Sequence, residues 1–152
     1  MVASTGNTGK GVMFQIDLAA SPVSWITVAN VRSISPTGRT ADEIDFTHLL
    51  STGSYREFRQ GFKDGGSINL DVHFDPTDAS HIGTSGLLGL FNSGEVFNWR
   101  INFSGADADW DVALVGTGFV SNPGDLDINV DGPITGSASV RVTGESTIED
   151  VA

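Results

Sequence analysis

Cysteine is absent from the 152 residues, so neither a disulfide framework nor a thiolate metal site can form. Basic residues are few: 8 Lys and Arg stand against 19 Asp and Glu, a formal net charge of -11. A charge of that sign disfavours stable attachment to nucleic acid, whose affinity comes mainly from neutralised phosphates. It leaves room for a protein that stays near DNA without sticking to it. No apolar run approaches the ~20 residues needed to span a bilayer. The opening MVASTGNTGKG also lacks the apolar middle of a secretory signal. These absences predict a soluble chain, made in a cytoplasm and carrying no membrane anchor.

Catalytic signatures are missing too. STGNTGKG resembles a phosphate loop, but Ser4 stands where the first glycine belongs and Gly11 where Ser or Thr must follow Lys10. A flexible N-terminal arm over residues 1–11 is the better reading. DADWD (107–111) offers carboxylates at alternate positions of a calcium loop, yet Val112 and Gly118 occupy the Gly and Glu positions. The sequence therefore predicts no metal and no cofactor. His48, His73 and His81 are too scattered to read as a catalytic set, and their default is the surface or an interface. The sequon Asn102-Phe103-Ser104 carries no weight without a secretory signal. No enzyme is expected.

What the chain does contain is core material in short pieces. Hydrophobic residues make up 39%, with nine Phe, and 19 glycines fall between the apolar runs. At this length one domain is expected, covering residues 1–152. VMFQIDL (12–18) and SWITVANVRSIS (24–35) read as strands, the second stopped by Pro36-Thr37-Gly38. In SINLDVHF, Ile68, Leu70, Val72 and Phe74 alternate with Asn69, Asp71 and His73, the pattern of a half-buried strand. Asp75-Pro76 and the spacing of Leu87, Leu88, Leu90 and Phe91 predict one helix over about 80–93, weakened by Gly83 and Gly86. Four more strands follow, EVFNWRINF (95–103), DWDVALVGTGFV (109–120), DLDINVD (125–131) and GSASVRVTG (136–144), separated by turns at Ser104-Gly105, Asn122-Pro123-Gly124 and Asp131-Gly132-Pro133. This order predicts a mainly β fold, an antiparallel β-sandwich or partial barrel with one flanking α-helix. Residues 39–66 lack a clean period and read as a long inter-strand loop; within them EIDFTHL could form a short strand.

Eight positions of that loop, 56–63, hold three of the eight basic residues, Arg56, Arg59 and Lys63, interleaved with Phe58 and Phe62 and preceded by Tyr55. Three readings compete. The aromatics fold back onto the chain's own core; or they stack bases in a basic groove; or the loop docks on an acidic neighbouring subunit. In the last case Phe58 and Phe62 are buried at the contact and the cations pair with carboxylates, because aromatics and Arg are what interface centres favour. Between Ile101 and Val140 there is no Lys or Arg at all.

The ordered series Ile44-Asp45-Phe46-Thr47, Ser51-Thr52-Gly53, Arg56-Glu57, Gly61-Phe62-Lys63-Asp64-Gly65 and Phe74-Asp75-Pro76 resembles tail tube proteins of long, non-contractile-tailed bacteriophages. The similarity continues through His81, Ser93-Gly94-Glu95, Trp99-Arg100-Ile101 and Trp110 with Gly116 to Phe119, about 130 residues in matching order. The glycine-rich His81 to Gly86 departs from the family's usual helix opening. The resemblance implies a structural virion protein made in a bacterial host cytoplasm and self-assembled as stacked hexameric rings that guide DNA. It also implies tape-measure, tail-terminator and distal tail proteins as partners. It places Tyr55, Arg56, Phe58, Arg59, Phe62, Lys63 and Asp64 at a subunit interface. An acidic wall would keep DNA from sticking, so Asn69, Asp71, Asp125, Asp127 and Asp131 are candidates for the lumen; exposure on the outside of a tube is the competing reading. Two alternatives are the inner tube of a contractile injection or type VI secretion machine, and a carbohydrate-binding β-sandwich using Trp25, Trp99 or Trp110. Core placement of Trp99 and Trp110 would remove the stacking platform.

Overall fold

The structure is a computed structural model that describes residues 9–18, 24–106 and 110–151. The first eight residues of the expected N-terminal arm, and 107–109 of the DADWD segment, lie outside the described residues. Nine strands and two short helices occur in the order β1 (Met13–Asp17), β2 (Ile26–Thr27), β3 (Val31–Thr37), β4 (Thr40–Asp45), β5 (Phe58–Asp64), β6 (Ser67–His73), α1 (Ala79–Ile82), α2 (Leu87–Ser93), β7 (Phe97–Asn102), β8 (Val112–Asp127) and β9 (Thr135–Asp150). Seven strands form one antiparallel sheet in the order β2-β1-β7-β8-β9-β6-β3, while β4 and β5 pair only with each other.

The predicted alternation explains the sheet. In β6, Ile68, Leu70 and Val72 are buried while Asn69 and Asp71 are exposed, and β7 buries Phe97, Trp99 and Ile101 on one face. Apolar residues from strands far apart in the order, Phe14 and Ile16 of β1 with Ile68 and Leu70 of β6, belong to a single core cluster. β1 and β3, separated by four strands in that order, also lie against each other, so the sheet curls over. The register shifts of β8 at Val115/Thr117, Val120/Asn122 and Asn122/Asp125 supply the bend. Trp99 is fully buried, and its Nε1 donates to the Thr117 carbonyl at 3.1 Å. Gly116 lies against that indole: a Cβ there would sit 2.7 Å from Trp99 Cζ2.

The helical stretch expected at about 80–93 is present as two pieces. Asp78 caps α1 by accepting from the Ser80 amide at 2.8 Å, and α1 ends at Gly83; α2 then runs to Gly94 and buries Leu87 and Leu90 in the core. His81 departs from the surface default of the sequence reading. It is 2% exposed, accepts from the Asp75 amide through Nδ1 at 3.0 Å, and donates through Nε2 to the Ala29 carbonyl at 2.7 Å. With Ser80 Oγ accepting from the Ala29 amide at 3.0 Å, α1 is tied to the turn between β2 and β3.

Three boundaries differ from expectation. The long strand foreseen at 24–35 breaks at Ala29-Asn30, where Asn30 has φ 57°. The turn foreseen at Asn122-Pro123-Gly124 is instead a bulge within β8, a place where a ladder tolerates the missing amide of proline. The strand foreseen at 136–144 runs on to Asp150.

Candidate functional site: a polar sheet face and a projecting hairpin

Four strands turn a common polar face away from the core. Pairing aligns Ser33, Asp71, Ser137 and Asp125 in one row across β3, β6, β9 and β8, and Ser35, Asn69, Ser139 and Asn122 in the next. His73, Thr135 and Asp127 form a third row at one end. Side-chain hydrogen bonds run along the rows. Ser33 Oγ donates to Asp71 Oδ2 at 3.0 Å and Ser137 Oγ to Asp71 Oδ1 at 2.9 Å. Ser139 Oγ donates to Asn69 Oδ1 at 2.8 Å, and Asn122 Nδ2 to Asp125 Oδ2 at 3.2 Å. Of the channel candidates, Asn69, Asp71, Asp125 and Asp127 thus share one surface. Asp131 does not; it lies in the connection between β8 and β9, beyond the last paired row. His73 belongs to the same face, with a buried Nδ1 that has no hydrogen-bond partner.

The hydroxyls of Ser33, Ser137 and Ser139 were missed by sequence reasoning. Their signal is the alternation in GSASVRV, where small polar residues take the positions facing Asn69 and Asp71. Both sides of this four-stranded face are open. β3 pairs only with β6, and β7 pairs with β8 only over Ala113 to Gly118, so the flank of β8 beyond Gly118 has no strand beside it.

The second surface is the segment expected to be irregular. Residues 40–64 form a two-stranded hairpin rather than an unstructured loop. It is held at its base, where Arg141 Nη2 donates to both oxygens of Asp64 at 2.8 and 2.7 Å and the Gly66 amide donates to Asp64 Oδ1 at 2.8 Å. The Gly66 hydrogen bond first, and Arg141 second, hold the Asp64 carboxyl below its usual range. Gly66 has φ +75° and packs against the Thr37 carbonyl, which no side chain would permit. Further out, Thr47 hydrogen bonds lower the Asp45 carboxyl in the same direction.

Exposure along the hairpin is unusual for its residue types. Phe62 is 90% exposed, Tyr55 78% and Phe58 52%, and Ile44, Phe46, Leu49 and Leu50 are also exposed. The aromatics therefore do not fold back onto their own core. Arg59 lies over the Phe46 ring, 5.1 Å from its centroid, on the face shared with Ile44; Phe58 is opposite Asp45 and Gln60 opposite Glu43. Among the described residues Arg56, Arg59 and Lys63 form no ion pair, whereas Asp64 is engaged within its own chain.

Of the tryptophans, Trp99 is core as expected, whereas Trp110, also expected in the core, is only half-buried and precedes β8; Trp25 packs under the Arg100 guanidinium, 4.4 Å from the ring centroid. Arg100 in turn donates to Gln15 Oε1 at 2.5 Å, and burial lowers its pKa. Among the described residues no group of His, Asp and Glu is arranged to hold a metal ion, and no helix is long and apolar enough to cross a membrane.

A family model described as "Lambda phage tail tube protein, TTP" matches residues 7–149. Among solved structures, a chain from the tail of an empty GTA particle, computed with helical refinement in C6 symmetry, superposes with a TM-score of 0.72 at 20% identity, covering 95% of this chain and 99% of that one. The SPP1 tail tube, determined by solid-state NMR and cryo-EM, gives 0.64 at 16% identity, over 95% of this chain and 80% of that one. A chain of the anti-feeding prophage baseplate gives 0.66 at 10% identity, over 98% and 99%. No curated protein matches the sequence.

Proposed function

The chain belongs to the lambda phage tail tube protein family, and on that premise we propose that its copies close into hexameric rings that stack into a DNA conduit. Its role is structural, in the tail of a virion. The observation that carries the ring proposal is the four-stranded polar face with open flanks on β3 and β8. An exposed sheet edge invites uncontrolled pairing, and joining β3 of one copy to β8 of the next around a closed ring removes both of these edges. The polar face then lines the lumen.

DNA carries one negative charge per ~1.7 Å of axis, so a basic wall would hold it. Asp71, Asp125 and Asp127 on the wall repel the phosphates, and Asn69 with the serine hydroxyls keeps the surface wetted. Arg141, one position beyond these rows and opposite Ser67, is already bound to Asp64. The exposed hairpin, with Tyr55, Arg56, Phe58, Arg59, Phe62 and Lys63, makes the contact to a neighbouring copy. Tape-measure, tail-terminator and distal tail proteins are the other partners, and the chain works without a catalytic step. The contractile injection tube is supported by shared fold alone, at 9% identity.

Negative-stain microscopy of the assembled protein tests the proposal, with hollow rods expected. Asp71→Lys with Asp127→Lys should leave the rods intact and slow DNA ejection from particles. Normal ejection kinetics from such particles would remove these residues from the lumen.

A further inference from the structure

The hairpin and the main sheet part company at one point. β6 pairs with β9 only from Ser67 opposite Arg141 to His73 opposite Thr135, and the Val142 amide donates to the Gly66 carbonyl at 3.0 Å. Past that point β9 continues to Asp150 with β8, and among the described residues no other strand lies beside its outer edge. Meanwhile β5, which leads into β6, swings away with β4. The result is an opening of about 990 Å³ between the hairpin base, with Arg39 and Lys63, and the β9 edge, with Thr143 and Glu145.

This edge is exposed on both faces: of residues 143–150 only Ser146 is even half-buried, and Ile148 is 75% exposed. It carries Glu145 and Glu149, and no Lys or Arg follows Arg141 in the chain. Like charges directly opposite one another destabilise strand pairs. Edge-to-edge pairing of two β9 strands about a two-fold axis would do just that. The segment of opposite charge is 56–63, where Arg56, Arg59 and Lys63 form no ion pair among the described residues and Arg59 lies over its own Phe46. β5 also has a free outer edge, since only β4 pairs with it.

We infer that the hairpin of a neighbouring copy adds as a strand to the β9 edge at 143–150, its cations facing Glu145 and Glu149. Main-chain hydrogen bonds would give such a contact its strength, and the alternating side chains its register. Phe62 would gain Ile148 as an apolar neighbour. Because the hairpin and the β9 edge are different surfaces of one molecule, the contact is heterologous and repeats from copy to copy. The inference rests on the reading that the hairpin is an intersubunit contact, and it names the surface that receives it.

The absence of cysteine makes the test clean. Chains carrying Gln60→Cys are co-assembled with chains carrying Ser146→Cys, and in a second experiment with chains carrying Thr147→Cys to cover the adjacent register. On oxidation, at least one mixture should give a disulfide-linked dimer that neither variant gives alone. Intact tubes without a mixed dimer in either experiment would overturn the inference while leaving the hairpin reading untouched. Wild-type protein supplies an independent readout: amides of 143–150 should exchange hydrogen far more slowly in tubes than in the free chain. Equal exchange in the two states would also overturn it. The hairpin reading fails separately, if tubes form normally after Phe62→Ala with Lys63→Glu.

Discussion

Phe62→Ala separates folding from assembly because the ring touches almost nothing in its own chain. Burying a Phe side chain fully is worth about 1.5–3 kcal/mol. Phe62 is 90% exposed in the single chain, so nearly all of that gain remains to be collected at a contact with another copy. Truncation should therefore cost about 1.4–2.7 kcal/mol per intersubunit contact, or roughly 10- to 90-fold in the association constant of each. The same change should leave the free chain within about 0.5 kcal/mol of its original stability, as for surface positions generally. Adding Lys63→Glu reverses a charge that has no partner at home and should deepen the assembly defect without unfolding the protein. Two measurements decide the matter: the thermal midpoint of the unassembled chain, and the protein concentration at which tubes appear by sedimentation and electron microscopy. An unchanged midpoint with a raised threshold is expected. Tubes at the original concentration would refute the role assigned to the hairpin, and a midpoint lowered by many degrees would refute the claim that Phe62 makes no contribution within its own chain.

Gly116→Val should destabilise the fold itself, because even a Cβ there stands 2.7 Å from the buried Trp99 ring. Overpacking of this kind costs about 1–3 kcal/mol, and each of those lowers the melting temperature by about 2–4 °C in a domain of this size, to be read by near-UV circular dichroism. Acid should loosen the hairpin base. The Asp64 carboxyl is held below the ordinary aspartate value of 3.8 by the Gly66 amide and then by Arg141, so its contribution is complete above 3.8 and is lost as pH falls through the lower folded value. Arg141→Ala should move that titration upward, as followed by the carboxyl carbon resonance, and an unmoved titration would show that Arg141 plays no part.

The elements legible in the sequence were those with one wet and one dry face. β6 announced itself because Ile68, Leu70 and Val72 are buried and Asn69 and Asp71 are not. The hairpin did not, since in the single chain both of its faces meet water and its register shifts between Ala41 and Glu43. The distal half of β9 was hidden for the same reason: GESTIED has no apolar period, yet it is a paired strand. Pro123 read as a turn because a bulge and a turn use the same residues. His81 read as a surface residue because a lone histidine carries no sign of the two backbone groups that hold it. For the candidate site, the acids on the polar face were visible singly from the 2-residue period. Their grouping into rows was not, since it depends on which strands the topology makes neighbours.

The serine hydroxyls beside Asp71 have a consequence for friction. Each carboxylate oxygen already accepts a hydrogen bond from Ser33 or Ser137, so the charge is pinned in place with part of its binding capacity spent inward. On the proposed lumen wall, a polymer dragged past would feel the field but find fewer acceptors through which bound amines or magnesium could tether it. Slipperiness of that kind comes from how the serines are oriented as much as from how many acids there are.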